Sequence, residues 1–260
     1  VLIPLLLACS ARPDVDLSAS ALRDARERGA DELVHLDGTG VDVIAGRPAE
    51  LGLIDASPLV PSMETLVAED TWTTAINAQF VIIKGPHTGQ QRGATWRGAT
   101  QLDPPEPGSE ALWTLDVRTT APWVRLYRGD PEPAAPDRRF AIGGLEALAV
   151  DSDAEVSPTL ANQILKFGPD ERRMGRTYLA WDRSSGVLAL AVVEQGATGP
   201  RLDELPDALR SAGFHDVVML DGATSSTLIT REGGQTRVEA RGRPHASVPL
   251  RFGIGVRWED

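Results

Sequence analysis

The stretch Val217-Val218-Met219-Leu220-Asp221-Gly222-Ala223-Thr224-Ser225-Ser226-Thr227-Leu228 sets how the rest of the chain is read. Its unbroken apolar opening, Val217 to Leu220, is the pattern of a strand buried on both faces. The strand ends in a carboxylate, and Gly222 permits a tight turn or a close backbone approach. Thr224, Ser225 and Ser226 then offer hydroxyl and N–H groups to an anion or a sugar. Ligands of α/β sheets gather at the carboxyl ends of strands, and Asp221 falls at such an end. The spacing is not the G-x-S-x-G of a serine-hydrolase elbow. On local chemistry alone, an ordinary strand and turn explains the same residues.

The flanks carry regular elements. Upstream, Asp203 to Ala212 reads as a helix: Leu202, Leu205, Leu209 and Ala212 share a face, Pro206 lies in the first turn, and Gly213 closes the end. Tyr178 to Trp181 and Val187 to Val193 form a hairpin across Asp182 to Gly186. Ser157-Pro158 opens a further helix that ends at Gly168-Pro169. Nearer the start, Leu17 to Arg28 reads as a helix. Leu33 to Leu36 and Val41 to Ala45 flank the turn Asp37-Gly38-Thr39-Gly40. Ser62 to Ala68 reads as a helix and Thr71 to Ile76 as a strand leading into Asn77. Between Gly85 and Arg139 prolines and glycines mark loops, with strands at Ala111 to Val117 and Val124 to Tyr127. Downstream, strands fall at Thr227 to Thr230, Arg237 to Ala240 and Arg251 to Arg257. The expected fold class is α+β (or α/β), a single domain over residues 17–260 with mixed β-sheets flanked by a few helices.

Composition narrows the function. A chain of 260 residues, 42% hydrophobic and 24% charged, is globular and can bury one sizeable core. The net charge of −11 argues against a nucleic-acid partner, and any phosphate site must be locally positive. Cys9 is the single cysteine, so no disulfide or cysteine zinc site forms within one chain. His35, His87, His215 and His245 match no metal-ligand spacing. No cofactor or metal is derivable, although a carboxylate beside hydroxyls is suited to a divalent cation. Residues 1–9 resemble the end of a signal peptide, and Leu6-Leu7-Ala8-Cys9 resembles a bacterial lipobox, with residues 10–16 as a tether. The expectation is lipidation of Cys9 and a cell-envelope location, in the periplasm or at the cell surface; a buried N-terminal strand is the alternative, weakened by Pro4.

Helix, glycine, short strand and L-D-G-x-x-S, here Ala212-Gly213 through Asp221-Gly222-Ala223-Thr224-Ser225-Ser226, resembles the signature of the phosphodiester glycosidase domain family. Other blocks follow the family's order: Ala75-Ile76-Asn77-Ala78-Gln79-Phe80, Ala141-Ile142-Gly143-Gly144, Gly175-Arg176-Thr177 and Arg251 to Val256. The resemblance covers roughly residues 66–256. Two blocks depart from the family: Ala78 stands where it has glycine, and Ala223-Thr224 where it has a glycine pair.

The resemblance implies hydrolysis of a sugar–O–phosphate linkage at the anomeric carbon. In that reading Arg176 binds the anion, Asp221 is the base for water or the partner of a developing cation, and Asn77 hydrogen-bonds sugar hydroxyls. Thr177, Gly222, Thr224, Ser225, Ser226 and Gly144 contact substrate. The substrate class is a phosphorylated glycan or glycolipid of the envelope. Plainer roles stand beside these: Arg176 as a structural ion pair with Asp221, Asn77 as a turn cap, Ser226 as the start of a strand. No second carboxylate is identified beyond a weak candidate, Glu194. A family member that binds glycans without cleaving them, and a lipoprotein with no ligand, are the competing functions.

Overall fold

Why the segment around Asp221 is so apolar becomes clear from the layers around it. The computed structural model describes residues 17, 19–60, 63–67, 72–78, 81–85, 88–91, 93–104, 112–120, 123–133, 135–155, 175–194, 199–201, 204–222, 225–241 and 250–259. In chain order the elements begin with α1 (Ala19–Arg28), β1 (Glu32–Leu36), β2 (Val41–Gly46), β3 (Pro48–Val60), α2 (Met63–Val67) and β4 (Thr74–Asn77). Next come β5 (Val81–Gly85), β6 (Thr88–Gln91), β7 (Thr95–Arg97), β8 (Thr100–Asp103), β9 (Trp113–Arg118), β10 (Val124–Arg128), β11 (Arg138–Val150) and β12 (Asp153–Ala154). The last are β13 (Arg176–Asp182), β14 (Val187–Val193), α3 (Glu204–Ser211), β15 (Asp216–Met219), β16 (Thr227–Glu232), β17 (Gln235–Arg241) and β18 (Leu250–Trp258).

Two sheets stack. The larger runs β1-β2-β14-β13-β15-β11-β7-β8, with β9 and β12 also on β11 and β10 on β9; the smaller runs β17-β16-β4-β18-β3. A separate hairpin pairs β5 with β6. In β14 the alternation is direct. Leu188, Leu190 and Val192 point into the core between the sheets, while Val187, Ala189, Ala191 and Val193 face the cluster that α1 and α3 cover. Small alanines on the outer face let the helices sit close; leucines on the inner face fill the wider gap between sheets. On the far side of the small sheet, Met63 and Val67 of α2 pack on Ile54, Ala75 and Ile229. The order of layers is therefore helix, sheet, sheet, helix.

Two expectations are corrected. The fold is sheet-dominated, not a balanced α+β arrangement, and every strand pairing among the described residues is antiparallel, so neither a mixed sheet nor an α/β core is present. The two longest strands, β3 and β11, were not expected, because proline and glycine interrupt their sequences. Pro48 is tolerated because it opens β3. Gly52 and Gly255 form a floor for the Trp72 indole, which a Cβ at either would overlap, and Arg257 lies over the ring at 4.8 Å. The helix expected from Ser157 lies outside the described residues, as do residues 1–16 with Cys9. No helix among the described residues is long and apolar enough to cross a membrane.

One buried charge cluster ties β9 to β11. Asp116 and Arg138 are fully buried, and Arg138 Nε donates to Asp116 Oδ1 at 3.1 Å. Arg118 bridges Asp116 and the outlying Asp137, donating to the latter at 2.6 Å. Taking Asp116 away leaves two arginines without their shared counter-charge. Asp116→Asn is expected to lower stability by about 3–5 kcal/mol in urea unfolding. Asp137→Asn, at the solvent end of the same cluster, should lower it far less.

Candidate active site

The site is built where the chain passes from one sheet to the other. Strand β15 belongs to the large sheet through Leu220, whose N–H donates to Thr177 O at 2.9 Å. One residue later the N–H of Asp221 donates instead to Ala78 O at 2.8 Å, just beyond β4 of the small sheet. By Thr227 the chain is a strand of that sheet. Residues 221–226 are thus the crossing, and Asn77 clamps both ends. Its amide donates to Asp221 O at 2.7 Å, and its side-chain oxygen accepts from Thr227 N at 3.0 Å and from Thr177 Oγ1 at 2.8 Å.

Asn77 is completely buried, and both lone pairs of its oxygen are taken. In this structure Asn77 holds the loop, and its oxygen is occupied by Thr177 and Thr227. Thr177 is likewise fully buried, and its hydroxyl is donated to Asn77. Ser225 and Ser226 are buried too, and Ser226 Oγ has no hydrogen-bond partner among the described residues. Asp221 and Gly222 are only partly buried and form the accessible part of the group. Thr224 and Ala223 lie outside the described residues. Ala78, in place of the family's glycine, is not among the residues with positive φ, so the backbone there does not require glycine. Gly144 does need glycine: its φ is +74°, at the point where β11 shifts register against β9. It lies two residues beyond the Glu146–Met219 pair, towards the Asp221 end of the sheet.

Asp221 has few partners. Gly222 N–H donates to Oδ1 at 2.9 Å, and Ser225 Oγ lies 2.8 Å from Oδ2. The same Ser225 Oγ is 2.6 Å from Gly222 O. A hydroxyl has one hydrogen, so it cannot donate to both acceptors. With a proton on Asp221 the conflict disappears: Asp221 donates to Ser225, and Ser225 donates to Gly222 O. Burial pushes the Asp221 carboxyl up to about 6, against the lowering by Ser225, by the Gly222 N–H and by the charge of Arg176.

Arg176 is buried, and its Nη1 donates to Gly175 O at 2.6 Å. It makes no ion pair with Asp221, whose hydrogen-bond partners are Gly222 and Ser225. Its guanidinium instead passes beneath Gly222, where a Cβ would stand 3.1 Å from Arg176 Cδ and 3.0 Å from Gly175 O. Glu194 sits at this end of the sheet but two strands away; its N–H donates to Gly40 O at 2.8 Å. Its charge acts on His35, whose pKa is raised chiefly by the hydrogen bond to Asp42. A buried carboxylate not singled out from the sequence, Glu146, pairs in register with Met219, two residues before Asp221. Among the described residues, no three His, Cys, Asp or Glu side chains are grouped to hold a metal ion.

The order of these blocks matches a known family: the model of the phosphodiester glycosidases covers residues 67–257. The chain belongs to that family. Among solved structures, a hypothetical protein from Synechocystis superposes with a TM-score of 0.58 at 16% identity, over 87% of this chain and 61% of that one. The chain thus spans under two thirds of that protein's length. The catalytic domain of zebrafish N-acetylglucosamine-1-phosphodiester alpha-N-acetylglucosaminidase, auto-inhibited by its pro-peptide, also gives 0.58, at 13% identity over 84% of this chain and 76% of that one. At such identities the likeness establishes the fold of a phosphodiester glycosidase and no more. No curated protein sequence matches the chain.

Two outcomes are expected from the site's geometry. Since the Asp221 carboxyl holds its proton more tightly folded than unfolded, its ionisation weakens the fold as pH rises from the ordinary carboxylate range through about 6. Asparagine reproduces the protonated pattern, so Asp221→Asn should raise stability by about 1–3 kcal/mol at pH 8 and by almost nothing at pH 3.5, read by thermal unfolding at both pH values. Asn77→Ala strands three buried groups of the clamp and should cost about 2–4 kcal/mol in the same assay.

Proposed function

We propose that this chain hydrolyses the bond between the anomeric carbon of a sugar and the oxygen of a phosphodiester, releasing free sugar and a phosphomonoester. The observation that carries the reading is Asp221: a part-buried residue whose carboxyl is pushed up to about 6 by burial, on a loop held from both sheets, with the Arg176 guanidinium beneath the adjoining Gly222. Membership of the phosphodiester glycosidase family supports the reaction class.

In this mechanism water attacks the anomeric carbon as its bond to the phosphate oxygen breaks. The oxygen leaves with the bonding electrons as a phosphomonoester, which is weakly basic and needs little help from a general acid. Ionised Asp221 takes the proton from water and passes it to solvent, and its charge favours the oxocarbenium-like transition state. Arg176 works from below: its buried charge makes the Gly222 side of the loop locally positive in a chain of net charge −11, drawing the phosphate there. The N-acetylglucosamine 1-phosphodiester named for the zebrafish enzyme is the first substrate to try. The proposal places the enzyme in the bacterial cell envelope, lipid-anchored through Cys9 and acting on phosphorylated glycans or glycolipids; the lipobox-like Leu6-Leu7-Ala8-Cys9 supports that placement.

The test is turnover of a panel of sugar-1-phosphodiesters followed by NMR. A base must be ionised to act, so kcat/KM should rise about tenfold per pH unit below about pH 6 and level off above it. Asp221→Asn should lose at least about 100-fold in kcat while remaining folded. A rate that instead falls above pH 6 makes Asp221 an acid. Binding without turnover by the folded wild type leaves a glycan-binding protein.

A further inference from the structure

At the end of the sandwich opposite Asp221 lies a cavity of about 260 Å³ that the reaction does not use. Strand β13 measures the separation: Arg176 opens it at the Asp221 end and Trp181 nearly closes it, five residues or roughly 16 Å away. Trp181 and Trp123 supply aromatic walls, Trp181 buried in the core between the sheets and Trp123 packed partly exposed against it. Arg47, Arg183, Ser185 and Glu259 complete the rim.

The polar groups differ in what they have left to give. Arg183 is committed: its Nε and Nη2 donate to the two oxygens of Asp216 at 2.6 and 2.8 Å, and its Nη1 pairs with Asp151. Arg47 is tied only through Nε, which donates to Ser185 O at 3.2 Å; its terminal nitrogens meet no partner among the described residues. Glu259 is exposed, and its carboxylate is also without a partner there. The two are neighbours, because Glu259 N–H donates to Arg47 O at 2.8 Å. The rim thus offers a spare donor and a spare acceptor of opposite charge above aromatic walls.

We infer that this cavity is a second carbohydrate site, taking one neutral sugar ring between Trp123 and Trp181 with its hydroxyls on Arg47 and Glu259. A pyranose has an apolar C–H face suited to an indole and a rim of hydroxyls that both donate and accept. Arg47 and Glu259 carry opposite charges, and Arg183 is held by two acids, Asp151 and Asp216, so the rim has no surplus positive charge to hold an anion. The volume falls below the roughly 300–1,000 Å³ of sites for larger ligands, which fits one ring and not a chain. The inference is independent of hydrolysis at Asp221: it assigns a distal grip on a glycan, whatever happens to its phosphodiester.

The experiment titrates the wild-type chain with uncharged methyl glycosides and short neutral oligosaccharides, reading the indole N–H signals of its six tryptophans by NMR. Signals assigned through Trp123→Phe and Trp181→Phe should shift and saturate with a Kd of about 1 mM, typical of a single small contact. Trp123→Ala and, separately, the rim change Arg47→Ala should each weaken binding about tenfold. Rates on a small sugar-1-phosphodiester should be unchanged in Arg47→Ala. Indole signals unmoved by the whole panel, or an affinity unaltered in both variants, overturns the proposal. Neither result bears on turnover at Asp221, so the two readings fail separately.

Discussion

A single buried amide holds the two sheets to one another at the point that matters. Asn77 reaches from β4 to Thr177 in the large sheet and grips both ends of the crossing that carries Asp221. Asparagine suits the task because it donates and accepts across a few ångströms without a charge to solvate. Aspartate would turn the donor facing Asp221 O into an acceptor, and leucine would strand every group involved. The position of the carboxyl, and through it the accessible part of the site, follows from this clamp.

The clamp also accounts for the unusual state of Asp221. A loop pinned at both ends and folded over Arg176 leaves its carboxyl poorly hydrated. Among the described residues few donors compensate: one N–H, and one hydroxyl whose hydrogen is also claimed by Gly222 O. The loop thereby keeps a proton within reach of neutral pH. Buried Ser226 Oγ, with no partner among the described residues, is a further polar group held here at the cost of its hydration.

Much of the large sheet was legible because its strands obey simple alternation. The hairpin of β13 and β14, the run into Asp221, the turn at Asp37 to Gly40 and helix α3 all fall where periodicity and turn residues place them. β3 and β11 are absent from the expected strands: glycines lie within them, at Gly52 against a packed indole, at Gly143 against a neighbouring backbone and at Gly144 in a bulge. Strand direction was misread because a buried strand looks the same whether its neighbours run parallel or antiparallel. The Asp221-Gly222 loop could be found from its letters. The true office of Asn77 could not: its partners stand 100 and 150 residues along the chain, and no local pattern records them. The Trp123–Trp181 cavity was invisible for the same reason.

That separation fixes when, in the life of each molecule, the site comes into being. Asn77, Thr177, Asp221 and Thr227 meet only after distant stretches of chain have closed on one another, the slow kind of contact in folding. The helices and the β13–β14 hairpin can form early, from neighbouring residues. The carboxyl acquires its setting only once the two sheets meet at Asn77, so a chain whose sheets have not docked lacks the surroundings that raise Asp221.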